Sequence, residues 1–285
     1  YNFKFVPAGR ILFAAGTNKT ATWNNCFVID SPKDSRGGIL DSAKRMTEIM
    51  AKAGGVGINI SSIRPSGHTV HGVGGHASGP SNWAQIFSVI TGDIVERGGP
   101  GRGALMLILN DWHPDLVNFI TRKSEFITKE DGTVSPRWLE HANISVAISD
   151  AFMDHVQKDL LWDFYFPDTK HEKYDSEWDG NLDKWAEKEY PFVHHGSMKA
   201  REIWDILCES AWKSADPGIF FIGTNKHMQN SYYFEDHNTT NPCAEILLKS
   251  QQFCNLTSAV VRAGDDLYHD LADKVELATI AAAGQ

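Results

Sequence analysis

The 285 residues are 42% hydrophobic and 22% charged, with a formal net charge of −9, a globular composition large enough for one sizeable core or two domains. The negative charge argues against a general nucleic-acid-binding surface and leaves phosphate recognition to local arginines, lysines or helix N-termini. No apolar run approaches the roughly 20 residues that span a bilayer and no charged-then-apolar leader opens the chain, so a cytoplasmic setting without a membrane partner is expected.

In chain order, residues 26–29 read as a strand. Ile39, Leu40, Ala43, Met46, Ile49, Met50 and Ala53 then recur at helical spacing up to Gly54-Gly55. Residues 57–61 read as a second strand, followed by a glycine-rich stretch, 65–80, too long for an ordinary connection. An amphipathic helix over about 81–95 ends in a glycine-rich turn before the apolar strand 104–109. The alternation continues with a helix near 114–121, a strand 144–148, and a helix from Asp150 that either Ser149 or Asp150 would cap. Strand 161–166 precedes residues 167–197, which have no clear period and read as a surface excursion. A helix over about 200–214, a strand 218–222, a polar loop 223–241 and a helix 267–283 complete the pattern. No internal repeat is evident, and the alternation of strands with helices predicts an α/β architecture.

Chemistry concentrates in Asn241-Pro242-Cys243-Ala244-Glu245. If this stretch is extended, Asn241, Cys243 and Glu245 face one side while Pro242 and Ala244 face the other. A thiol, a carboxylate and an amide in one cavity suit redox chemistry with proton transfer and hydroxyl binding. The short motif equally fits an ordinary turn around a buried cysteine. The remaining cysteines are Cys26, Cys208 and Cys254 with no C-x-x-C pair, so a structural zinc site or thioredoxin-type motif is not suggested. Cys26 and Cys254 each adjoin a short apolar run, and two such strands meeting beside Cys243 would supply two electrons by closing a disulfide. Cys208 lies in a helical pattern and is assigned to packing.

Taken with Asn24-Asn25-Cys26, Gly55-Val56-Gly57-Ile58-Asn59-Ile60, Gly101-Arg102-Gly103-Ala104, Asn143-Ile144-Ser145-Val146, Asp216-Pro217-Gly218-Ile219-Phe220-Phe221 and Phe253-Cys254-Asn255-Leu256, the motif resembles the large catalytic chain of ribonucleotide reductases, in the same order and over about residues 7–259. The Asn-Pro-Cys form and the opening Val6-Pro7-Ala8-Gly9-Arg10-Ile11-Leu12 resemble the adenosylcobalamin-dependent class more than the diiron class. The resemblance implies a ten-stranded α/β barrel of two five-stranded halves. Here it implies the first half, a finger loop over about 223–252 with Cys243, and the first strand of the second half with Cys254. It also implies that Cys243 becomes a thiyl radical, that Glu245 takes the 3′-hydroxyl proton, that Asn241 and Asn25 bind substrate, and that Cys26 and Cys254 form a redox-active disulfide. Adenosylcobalamin would make the radical, and a thioredoxin or glutaredoxin-type reductant would reopen the disulfide.

Asp34-Ser35 resembles the family's pair for the ribose of a deoxynucleotide or ATP effector, although a helix N-cap explains these residues as well. Arg102 resembles the arginine of the loop that carries effector identity to the substrate base, its flanking glycines permitting rearrangement. Arg64 stands where effector phosphates are met, or is simply solvated. Effector sites of this kind commonly lie at a homodimer contact. Asp111-Trp112-His113 begins like a cobalamin motif that is not completed. His68, His71 and His76 lack a defined ligand partner, so no metal site is expected. His194-His195 reads as surface loop, and Trp204 and Trp212 as core packing. A chain opening at Tyr1 and stopping inside an apparent helix is expected to be an inactive fragment of a longer enzyme, without the second half-barrel, phosphate segment or C-terminal cysteine pair. A glycyl-radical enzyme, a diiron-class chain and an inert nucleotide-binding module are the competing readings.

Overall fold

The computed structural model describes residues 4–70, 74–96, 98, 103–266 and 269–283. Its centre is a six-stranded sheet with helices between the strands. In chain order these are β1 (Cys26–Val28), α1 (Arg36–Met50), β2 (Gly55–Asn59), α2 (Pro80–Val89) continuing as a wide-turn helix Ile90–Glu96, β3 (Leu105–Asn110), α3 (Leu116–Thr121), β4 (Asn143–Ile148), α4 (Asp150–Lys158), α5 (Ala200–Ser214), β5 (Gly218–Phe221), β6 (Phe253–Cys254) and α6 (Asp270–Ala283). Strands β1 to β5 are parallel and lie side by side in chain order, and β6 joins the outer edge of β1 antiparallel. Parallel neighbours need crossover connections, which is why helices punctuate the sequence.

The sheet has two chemically distinct faces, and the period-2 alternation of strand side chains separates them. Val56 and Ile58 of β2, Leu105, Leu107 and Leu109 of β3, and Ile144, Val146 and Ile148 of β4 pack with Ile39, Met46, Phe87, Phe119, Phe152 and Ile203 from the helices. Each such side chain contributes about 1.5–3 kcal/mol by leaving water. The alternate residues Cys26, Gly55, Gly57, Asn59, Asn143 and Ser145 turn to the other face, joined there by a small cluster of Met106, Ile108, Ala147, Phe220, Ile222 and Leu247.

Helix boundaries follow local chemistry. The Ser35 side chain accepts from Gly38 N at the start of α1, and Ser149 accepts from Phe152 N at the start of α4, satisfying donors that the helices leave open. Residues 223–241 are not wholly loop, since a helix, Ile222–Met228, opens them. Residues 167–197 are likewise more than a surface excursion. They carry two short helices and most of a strand, Phe192–Lys199, paired antiparallel with Leu161–Pro167, and His194 and His195 lie exposed on that strand. Tyr174, Trp178 and Trp185 bury themselves with Trp112 and Phe166 in a satellite core, and Trp178 Nε1 donates to Ser62 O at 2.8 Å. Aromatic residues in one-turn helices leave no sustained period, so this core escapes pattern reading.

Two packing expectations for α5 are also corrected. Its buried stripe is Ala200, Ile203, Leu207 and Ser210, which turns Cys208 outward as an exposed thiol and leaves Trp212 85% exposed. Trp204 does pack, partly buried, against the core.

Candidate active site

Strands β1 and β6 set Cys26 directly opposite Cys254, and β2 sets Gly55 beside Cys26. Antiparallel partners have Cα atoms about 4.5–5.5 Å apart, inside the roughly 7 Å limit for a disulfide. Both thiols are buried and free. The adjoining Cys254 thiol, followed by burial, pushes the Cys26 thiol up, while interaction with Cys26 pulls Cys254 down against the opposing effect of its burial. The two thiols therefore titrate together rather than independently.

The Cys243 segment is not extended. Thr239–Thr240 pairs with Leu247–Leu248 as a hairpin, and Asn241 to Ile246 is its turn, closed by Asn241 N to Ile246 O at 3.3 Å and Ala244 N to Asn241 O at 3.0 Å. Ala244 takes a left-handed φ of 63°, so the alternating faces expected of a strand are lost. The turn joins two of the three groups differently: Asn241 Nδ2 donates to Glu245 Oε1 at 2.6 Å. Asn241 is wholly buried, whereas Cys243 and Glu245 are exposed. Partial desolvation within the turn first, then the charges of Glu245 and Cys254, raise the Cys243 thiol. Cys243 also acts on Cys26, so all three sulfurs lie within electrostatic reach of one another.

Small and amide residues of the sheet hold this turn in place. A Cβ on Gly57 would stand 1.9 Å from Thr240 O, and one on Gly55 would stand 2.9 Å from the Pro242 ring. Asn143 Nδ2 donates to Pro242 O at 3.0 Å, and Asn59 Nδ2 to Asn238 O at 2.9 Å. Asn25 serves the strand pair: its N–H donates to Cys254 O at 2.9 Å and its Oδ1 accepts from Leu256 N at 3.2 Å. Arg10 Nη1 donates to Asn24 O at 3.0 Å and to Ala53 O.

A second cleft of about 570 Å³ is lined by Asp34, Ser35, Arg64, His76, Trp83 and Asp175, among others. Asp34 Oδ2 meets Arg64 Nε at 2.6 Å and the Tyr174 hydroxyl at 2.6 Å, and Asp34 Oδ1 accepts from Arg64 N at 3.0 Å. Arg64 is thus an ion-pair partner rather than a solvated side chain, and Ser35 is the cap described above. Arg102 and His71 lie outside the described residues. Asp111 and His113 are buried, and among the described residues no group of three or more His, Cys, Asp or Glu side chains could hold a metal ion.

The family described as ribonucleotide reductase, barrel domain, matches residues 24–282. The chain belongs to the ribonucleotide reductase family. It is 35% identical over 257 residues to a vitamin B12-dependent ribonucleoside-diphosphate reductase of Thermoplasma acidophilum, covering 89% of this chain and 29% of that protein. It is 31% identical to a protein of the same description from Mycobacterium tuberculosis strain H37Rv, covering 90% of this chain and 32% of the relative. A ribonucleoside-diphosphate reductase large chain of Cryptosporidium parvum is 28% identical, covering 89% of this chain and 31% of that one. The chain thus spans about a third of the length of these curated relatives. In this member of the family the six-stranded α/β sheet is consistent with a half-barrel. The residues that seat the cysteine turn, namely Gly55, Gly57, Asn59 and Asn143, together with Arg10, were not singled out by role from sequence. Their signal was present for the strand residues: small and polar side chains alternate with branched ones in Gly55-Val56-Gly57-Ile58-Asn59, marking a face that something approaches closely.

Proposed function

We propose that the protein containing this chain reduces ribonucleotides to 2′-deoxyribonucleotides by thiyl-radical chemistry, with these residues forming the first half of a ten-stranded barrel and its cysteine turn. The observation that carries this reading is the register of Cys26 against Cys254 beneath a turn bearing Cys243, Asn241 and Glu245. As a radical, Cys243 takes the 3′ hydrogen and later returns it. Glu245 accepts the 3′-hydroxyl proton, and Asn241 orients the ribose. The 2′-hydroxyl leaves as water. Cys26 and Cys254 give up two hydrogens in all, one ending in that water and one at C2′, and their two S–H bonds become one S–S bond. A dithiol reductant of thioredoxin or glutaredoxin type would restore them.

Cys243, Ala244 and Glu245, on the turn, are the residues that would meet adenosylcobalamin. When bound, that cofactor supplies an organic radical by homolysis of its cobalt–carbon bond. The names of the Thermoplasma and Mycobacterium relatives support this choice; the name of the Cryptosporidium large chain does not mention vitamin B12, and a diiron-class reading is the alternative. The Asp34, Ser35 and Arg64 cleft is proposed as a deoxynucleotide or ATP effector site, with Arg102 relaying its occupancy and a homodimer contact nearby; its volume suits a nucleotide.

One experiment tests the core reading. The full protein, loaded with substrate and without reductant, should form about one product per active chain while Cys26 and Cys254 appear joined in peptide mass spectra. Product formed with both thiols still free would reject it. Turnover that does not depend on added adenosylcobalamin would reject the cofactor alone.

A further inference from the structure

Arg10 stands on a short helix, Gly9–Ala14, inside the opening motif of residues 6–12 but without a role in the chemistry proposed above. Its Nη1 donates at once to the carbonyl of Asn24 on the lead-in to β1 and to that of Ala53 on the lead-in to β2. One guanidinium therefore clasps the entries of the two strands on which Cys26 and Gly55 stand as register partners. The same group lies within electrostatic reach of both Cys26 and Cys254. Other groups facing the pair are Cys243 and Glu245, which repel a thiolate, and the Asn241 amide, which eases Cys26 downward. Arg10 Nε is buried with no hydrogen-bond partner among the described residues. A guanidinium keeps its charge even when partly desolvated, so this is a fixed cation beside a dithiol.

We propose that Arg10 is a positioning residue for the dithiol, holding the β1 and β2 entries in register and setting a fixed cation at the strand pair that carries Cys26 and Cys254. The proposal rests on the reading of Cys26 and Cys254 as the electron donors. It bears on their re-reduction by an external dithiol. One external thiolate attacks Cys26, forming a mixed disulfide and releasing Cys254 as a thiolate. The second external thiol then displaces Cys26. The external pair is oxidised by two electrons, and its two protons end on Cys26 and Cys254. A cation at the leaving sulfur speeds the first displacement, because a better-stabilised thiolate leaves faster.

The test uses the full protein as wild type, Arg10→Gln and Arg10→Lys, with iodoacetamide alkylation of Cys254 followed against pH and exposed Cys208 as the internal reference. Losing an adjacent cation raises a thiol by about 1 unit or more. The Arg10→Gln profile should therefore move to higher pH, with alkylation at neutral pH slowed about five-fold and dithiothreitol reduction of the Cys26–Cys254 disulfide slowed with it. Arg10→Lys, which keeps the charge, should recover most of both rates. An Arg10→Gln profile that overlays wild type overturns the proposal. If Arg10→Gln does not fold, Arg10→Met, which also removes the charge, decides: a profile displaced upward supports the role of the charge, and one that overlays wild type overturns it. Diamide treatment of wild type separates the underlying reading. Failure to join Cys26 to Cys254 removes the donor assignment and this proposal with it, whereas joining with no Arg10 effect removes this proposal alone.

Discussion

Gly57 on the second strand lies under the carbonyl of Thr240, so close that a Cβ there would come to 1.9 Å of the oxygen. The contact fixes how deeply the cysteine hairpin sits on the sheet. Backbone, unlike a side-chain end, has no rotamer by which to retreat.

Gly57→Ala should therefore displace the hairpin. Overpacking typically costs about 1–3 kcal/mol, and contact with backbone puts this site at the upper end. Thermal or urea denaturation checks the loss, and hydrogen exchange should show faster opening at residues 239–248. An unchanged midpoint would mean that the hairpin is not seated as described.

Glu245→Gln keeps the size of the side chain and a partner for Asn241 but cannot take a proton. A positioned general base contributes about 10²–10⁴-fold, so turnover in the full protein should fall by that range while substrate affinity changes little. Loss of binding instead of rate would reassign Glu245 to substrate recognition.

Lys123 Nζ meets Asp216 Oδ2 at 2.6 Å and Ala142 O at 2.7 Å, with side chains only 7% and 16% exposed. Lys123→Ala strands Asp216 in the interior at a cost of about 3–5 kcal/mol. Lys158→Ala breaks an exposed pair with Asp154 and should cost under about 1 kcal/mol. Equal losses in urea titrations of the two variants would contradict this ordering.

His113 is fully buried, with Nε2 at 2.9 Å from Ile63 O and Nδ1 accepting from Asp115 N, an arrangement that needs the neutral ring. Burial pushes its pKa down to about 3. The unfolded chain binds this proton first, so stability is lost as pH falls from about 6.5 towards 3. Asp111, pushed up to about 6 by burial, acts oppositely: its contribution is present below about 3.9 and is lost as pH rises through 6. The difference in unfolding free energy between wild type and His113→Gln should therefore shrink on acidification across the histidine window, read from denaturation at several pH values. A difference flat with pH would show that the ring is not held neutral.

Much of the α/β order was legible because it is written locally. Apolar period marks α1 and α5, glycine and capping residues mark their ends, and the runs at Leu105–Asn110 and Asn143–Ile148 are too apolar to be anything but buried. The residues of the candidate site, Cys26, Asn241, Cys243, Glu245 and Cys254, were legible as residue types at motif spacing. The satellite aromatic core was not, because short helices carry no period.

By itself the sequence determined which side chains are available and which segments become strands and helices, since propensity and periodicity act over a few neighbours. Only the tertiary structure decided that the cysteine segment is a turn rather than a strand, that Cys26 faces Cys254, that Cys208 faces water, and that Arg10 lies beside the dithiol. Those outcomes come from register and from close approach between segments distant in the chain, for which no local pattern encodes the partner.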